Sequence, residues 1–125
     1  MARLGIPVKK AGFFLPPYEW YNDSIAAWTR ELQLQLISFT PGTRSTADYT
    51  MDADKAYRSN EEIWQSILRF EEGSPSGLNG FILLLHVGAG PGRTQKFFHR
   101  LPGLIRHLQS KGYQFQRVDE MLKVD

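Results

Sequence analysis

The chain contains no cysteine among its 125 residues. That rules out a disulfide scaffold and thiolate metal sites, and it leaves the compartment open. No segment reaches the ~18 consecutive apolar residues of a membrane span, so no membrane partner is expected. The opening Met1-Ala2-Arg3-Leu4-Gly5-Ile6-Pro7 has no hydrophobic stretch of signal-peptide length. Runs of like charge are missing too. The formal net charge is +2, and Lys9, Lys10, Arg44, Arg58, Arg93, Lys96, Arg100, Arg106 and Lys111 are scattered. They read as solvated faces rather than a stripe that tracks phosphates, so nucleic acid is not expected as a partner. The sequence has neither the His-x-x-x-His spacing that lets two imidazoles share a metal nor a Gly-Lys-Ser/Thr phosphate loop. Internal repeats and low-complexity tracts are absent. What is present is an ordinary globular composition, 42% hydrophobic and 22% charged. It suits a single domain over residues 1–125.

The most informative feature is His86. It ends the apolar run Phe81-Ile82-Leu83-Leu84-Leu85, which has Gly80 before it and Gly88, Gly90 and Gly92 after it. A short continuous apolar stretch between glycines predicts a strand buried on both faces. His86 is then at the carboxyl end of an interior strand, where α/β folds gather their chemistry. Histidine also trades a proton near neutral pH.

Around that strand the pattern alternates. Phe13 to Leu15 predicts a strand stopped by Pro16-Pro17. Asn22 or Asp23 caps a helix through Ile25, Trp28 and Leu32. Gln35 to Thr40 reads as a strand closed by Pro41-Gly42. Thr43 to Arg58 shows neither period. Ser59-x-x-Glu62 is a capping box that opens a helix burying Ile63, Ile67 and Phe70. Thr94 to Lys111 is helical, broken or kinked near Arg100 by Pro102 and ended by Gly112. Tyr113 to Val118 predicts a strand, and Asp119 to Lys123 a last helical turn. Strands alternating with helices call for right-handed crossovers and a parallel sheet of about four strands.

Several motifs admit more than one reading. Phe13 to Asn22, FFLPPYEWYN, places aromatics after a proline turn, where they can wall a pocket, stack on a sugar ring or simply cover the core. In LLLHVGAGPGRT the glycines after a strand look like the first motif of adenosylmethionine-dependent methyltransferases, with Asp119 or Glu120 as the ribose-binding acid. Too few βα units follow to complete that fold, and His86 occupies the usual acid position. His99 and His107 lie eight apart on helical positions and read as surface residues. Glu61-Glu62 and Glu71-Glu72 read as helix-terminus or solvated charges.

In combination, Leu15-Pro16-Pro17-Tyr18, Leu84-Leu85-His86 and the tail RLPGLIRHLQSKGYQFQRVDEML resemble the C-terminal part of the polysaccharide deacetylase (NodB-homology) domain, carbohydrate esterase family four. The likeness runs from Phe13 to Leu122. It implies an α/β fold, a mainly parallel sheet flanked by helices, equivalent to the C-terminal half of a distorted (β/α) barrel. The implied activity is hydrolysis of N- or O-acetyl groups on amino-sugar polymers, with an acetylated polysaccharide as partner. By the same resemblance His86 is the general acid and Tyr18 a backbone donor to the oxyanion. Asp48, in Asp48-Tyr49, orients His86. Leu84, Pro17, Trp20 and Tyr21 contact substrate. Leu15 departs from the family, which has there an arginine paired with the catalytic aspartate.

The family's Thr-Phe-Asp-Asp and His-x-x-x-His motifs precede the proline turn, and this chain has twelve residues before Phe13. No metal ligand is therefore expected in this chain. A divalent metal, zinc by the resemblance, belongs to a complete domain. The expectation is a fragment or half-domain, inactive alone, with Met1 to Leu4 ending a crossover helix and a bare sheet edge that drives self-association. Two alternatives stand beside it, a noncatalytic carbohydrate-binding or assembly module and a methyltransferase-like fragment. No compartment is assigned, although members of the family are often exported.

Overall fold

The computed structural model describes residue 5 and residues 7–122. Strand β1 (Phe13–Phe14) leads through helix α1 (Asp23–Glu31) to strand β2 (Gln35–Leu36). Helices α2 (Asn60–Gly73), α3 (Leu101–Ser110) and α4 (Val118–Met121) follow, with 3-10 turns at Pro17–Glu19, Ser45–Tyr49 and Phe97–Arg100. The chain is mixed α/β. It divides into two compact units, one taking the chain to Phe39 and from Gln116 onward, the other spanning Thr40–Phe115.

In the first unit β1 and β2 pair in parallel, Phe13 with Gln35 and Phe14 with Leu36. Gln35 N–H donates to the Gly12 carbonyl and Ile37 N–H to that of Phe14, both at 2.9 Å. Helix α1 connects them because Asn22 caps it: its side-chain oxygen accepts from Ile25 N–H at 3.0 Å. Between α1, the strands and α4 lies an apolar cleft of about 710 Å³ lined by Phe13, Ala26, Leu34, Leu36 and Leu122 among others.

The second unit holds the core. The capping box forms as the sequence predicts. Ser59 Oγ accepts from Glu62 N–H at 3.2 Å, and Glu62 Oε2 accepts from Ser59 N–H at 2.8 Å. Ile63 and Ile67 of α2 then meet Phe97, Leu104 and Leu108, all buried. Full burial of aliphatic and aromatic side chains of this size contributes roughly 1.5–3 kcal/mol each. Gly112 stands at φ +96 just past α3, the cap expected of it.

Several expectations are corrected. Among the described residues the sheet has two strands, not four, and they form no barrel. Phe81 to His86 and Tyr113 to Arg117 carry no strand, and the strand expected over Gln35 to Thr40 stops at Leu36. The physical reason is pairing. Thr40 N–H donates to the Ile82 carbonyl at 2.9 Å, but Ile82 N–H is taken by the Thr40 hydroxyl at 2.9 Å rather than by a carbonyl. One such contact does not start a ladder. The apolar run is also not buried on both faces. Leu83 and Leu85 pack on the core, whereas Ile82, Leu84 and His86 do not join it. Pro102 neither kinks nor breaks a helix, because α3 begins at Leu101 and the proline sits in its first turn, where no N–H is needed. The expected helical end at Met1 to Leu4 lies outside the described residues. No helix among the described residues is long and apolar enough to cross a membrane.

Candidate functional site

The segment between β2 and α2 has no periodicity, yet it contains the most buried carboxylate in the second unit. The 3-10 turn Ser45–Tyr49 folds so that Ser45 and Asp48 point inward. Thr50 closes the turn: its N–H and hydroxyl both donate to the Ala47 carbonyl, at 3.1 and 2.6 Å. The Asp48 side chain is 1% exposed. A carboxylate so placed must be answered in full, and a single residue answers it. Asp48 Oδ2 accepts from the backbone N–H of His86 at 2.6 Å, and Oδ1 meets His86 Nδ1 at 2.6 Å.

That geometry fixes the chemistry of the ring. A carboxylate offers only acceptors, so Nδ1 carries the proton and donates it. The other nitrogen, Nε2, is the one that exchanges protons with anything outside. The imidazole side chain is 33% exposed, so it is both anchored and accessible. Tyr49, next to Asp48, presents its ring edge-on to the imidazole at 5.2 Å between centroids. Tyr49 and Val87 are themselves exposed, which gives His86 an apolar rim. Leu84 is half-buried two residues before His86.

Two of the glycines after His86 make room for a side chain. None of Gly88, Gly90 or Gly92 takes a positive φ. Met51 is packed against the last two. A Cβ on Gly92 would come within 2.9 Å of the Met51 sulfur, and one on Gly90 within 3.4 Å of its methyl group. The loop's polar groups are occupied as well. Lys96 Nζ donates to the carbonyls of Ala89 and Gly90. Asp52 N–H donates to the Gly92 carbonyl at 3.0 Å. Thr94 donates its hydroxyl and its N–H to Asp52, at 2.5 and 3.2 Å, and these bonds hold the Asp52 carboxyl below its ordinary 3.8. The 3-10 turn Phe97–Arg100 intervenes before α3, so the glycines do not lead directly into an α-helix.

On the first unit the proline turn behaves as a display. Pro16 is buried and Pro17 exposed. Tyr18 and Glu19 take φ of 58 and 55, left-handed values that cost a non-glycine residue about 1–3 kcal/mol. Tyr18 is 94% exposed, Trp20 64% and Tyr21 49%. The fold thus brings Asp48, Tyr49 and His86 together in the second unit, and groups Pro17, Tyr18, Trp20 and Tyr21 in the first. Leu15 is exposed and makes no ion-pair contact, as its side chain dictates.

Sequence reasoning missed Arg93. Its residue type argued for a solvated face, but it is buried completely. Only its place inside the turn-forming Gly90-Pro91-Gly92 neighbourhood hinted that the backbone there was doing something unusual. The residues present do not suit the divalent metal that the resemblance implies. Among the described residues, no group of three or more His, Cys, Asp or Glu is arranged to hold one. Compared with protein-family models, with curated proteins and with solved structures, the chain matches none.

Proposed function

We propose that this chain carries the acid of a deacetylase acting on acetylated amino-sugar polymers. The observation that carries the reading is the Asp48–His86 pair, a buried carboxylate that takes both the main-chain N–H and Nδ1 of one exposed histidine. This is the arrangement a general acid requires. Asp48 fixes the tautomer, and the imidazolium's Nε2–H is handed to the departing amine as the tetrahedral adduct of water on the acetyl carbon collapses, breaking the carbon–nitrogen bond and leaving acetate. His86 returns to the neutral state, and the free amine leaves.

One further role follows the resemblance. Leu84, in the same unit as His86, lines the space for the acetyl methyl. Titration of the chain with an N-acetylated chitooligosaccharide, followed by amide shifts in NMR, tests the reading. The expected shifts are at Leu84, His86 and Tyr49. Saturable binding elsewhere that leaves all three unmoved overturns it.

A second reading is favoured by one observation, the exposure of Tyr18, Trp20 and Tyr21 within one short stretch of chain. These are the side chains of a noncatalytic carbohydrate-binding platform. It predicts that sugar shifts those three residues and that His86→Ala binds as tightly as the parent chain.

A further inference from the structure

Arg93 is the largest side chain hidden completely by the fold, at 0% exposure. None of the ion pairs among the described residues includes it. Its fork instead commits all five N–H donors to neutral oxygens. Nε donates to the Gln95 carbonyl at 2.6 Å. Nη1 donates to the Thr50 carbonyl at 2.9 Å and the Thr50 hydroxyl at 3.3 Å. Nη2 donates to the Arg58 carbonyl at 2.9 Å and to Asn60 Oδ1 at 3.0 Å. The face of the guanidinium stands 5.2 Å from the centroid of the Tyr57 ring. A cation sealed among dipoles is costly to desolvate, so its acceptors should show what it is for.

They converge on one place. Thr50 caps the 3-10 turn that bears Asp48, and the hydroxyl that accepts from Arg93 donates onward to the Ala47 carbonyl, whose peptide leads into Asp48. Arg93 itself belongs to the loop that leaves His86. The guanidinium therefore bridges the two chain segments that must hold the carboxylate and the imidazole at 2.6 Å. The Asp52–Thr94 and Asp52–Gly92 bonds add a second tie between the same segments. Lysine cannot substitute, because one ammonium with three donors does not reach four separate residues at the corners of a planar fork.

We propose that Arg93 is the positioning residue of the Asp48–His86 pair, setting the tautomer and placement of His86 without touching substrate. The proposal rests on the reading of that pair as the acid, but its test needs no substrate. The chain is prepared with ¹⁵N-labelled histidine, and long-range proton–nitrogen spectra are recorded at a pH where the imidazole is neutral. In the parent chain His86 shows the Nδ1–H signature. In Arg93→Lys, with the fold retained by circular dichroism, the preference for Nδ1–H falls by about tenfold, the loss expected for one charge-assisted hydrogen bond, and approaches that of Asp48→Asn. Thr50→Val, which cuts the hydroxyl relay and leaves Arg93 in place, moves the signature in the same direction and decides the matter should Arg93→Lys not fold. A folded variant with a lowered melting temperature but the parent His86 signature assigns Arg93 a purely structural role and overturns the proposal. Failure of acetylated sugar to reach His86 would sink the deacetylase reading and leave these spectra unchanged, so the two failures are distinguishable.

Discussion

The contact between Asp48 and His86 makes a quantitative prediction. His86→Ala removes the ring donor but keeps the backbone N–H, so Asp48 Oδ1 is left buried without its partner. That loss is expected to cost about 2 kcal/mol. Asp48→Asn keeps the shape but gives up the charge and one of the two acceptors; its oxygen keeps the His86 N–H, its amide meets Nδ1 only in the Nε2–H tautomer, and it costs about 2–3 kcal/mol. In the double variant the single remaining acceptor faces a single remaining donor, the backbone N–H at position 86. The combined cost should therefore fall short of the sum by about 1–2 kcal/mol. At roughly 4 °C per kcal/mol for a domain of this size, each single variant melts about 8–12 °C below the parent. Urea unfolding followed by Trp64, which packs on the core of the second unit, supplies all four stabilities. Additivity within about 0.5 kcal/mol would refute the claim that this carboxylate and this histidine act as one unit.

Three further outcomes are expected. A Cβ at Gly77 would meet the Tyr113 hydroxyl at 2.1 Å, and φ there is +57. Gly77→Ala should displace that hydroxyl from Leu78 N–H and Glu71 and cost about 2–4 kcal/mol in chemical denaturation; a loss under about 0.5 kcal/mol contradicts the packing described. Lys111 and Tyr113 hold the Glu71 carboxyl below its ordinary 4.5, and Glu71 holds the Lys111 ammonium above its ordinary 10.5. The stability from Glu71 is thus present above 4.5 and lost as pH falls through its lowered value, and that from Lys111 is present below 10.5 and lost as pH rises through its raised value. The melting-temperature gap between the parent chain and Lys111→Met should be widest between those limits and shrink outside them, and a gap independent of pH is the contrary result. The β1–β2 sheet has only two residues per strand beside an open apolar cleft, too little to stand alone. Self-association is expected in analytical ultracentrifugation, and a stable monomer at micromolar concentration argues against edge pairing.

Local signals were legible in the sequence and long-range ones were not. The Ser59–Glu62 box, the Asn22 cap and the Gly112 stop each depend on residues within a turn of one another, and each appears where the pattern put it. Strands depend on a partner elsewhere in the chain. Phe81 to Leu85 has the composition of an interior strand, but its Ile82 amide is taken by a threonine hydroxyl and its His86 amide by a carboxylate. Pro102 illustrates a boundary effect, since the same residue breaks a helix in its interior and opens one at its start. In the candidate site, Asp48, singled out by the resemblance, is in contact with His86. Arg93 was invisible because its burial is bought with carbonyls from three stretches of chain, and carbonyls have no sequence signature.

One carboxylate gripping a histidine at both ring and main chain has a kinetic side. The imidazole cannot turn over about its own axis, nor can the residue swing away, unless the Asp48 turn opens with it. Orientation is therefore settled once, when the chain folds, and an arriving ligand meets a group whose freedom was already surrendered. Motion of this histidine and motion of the 45–49 turn should then occur at a single shared rate.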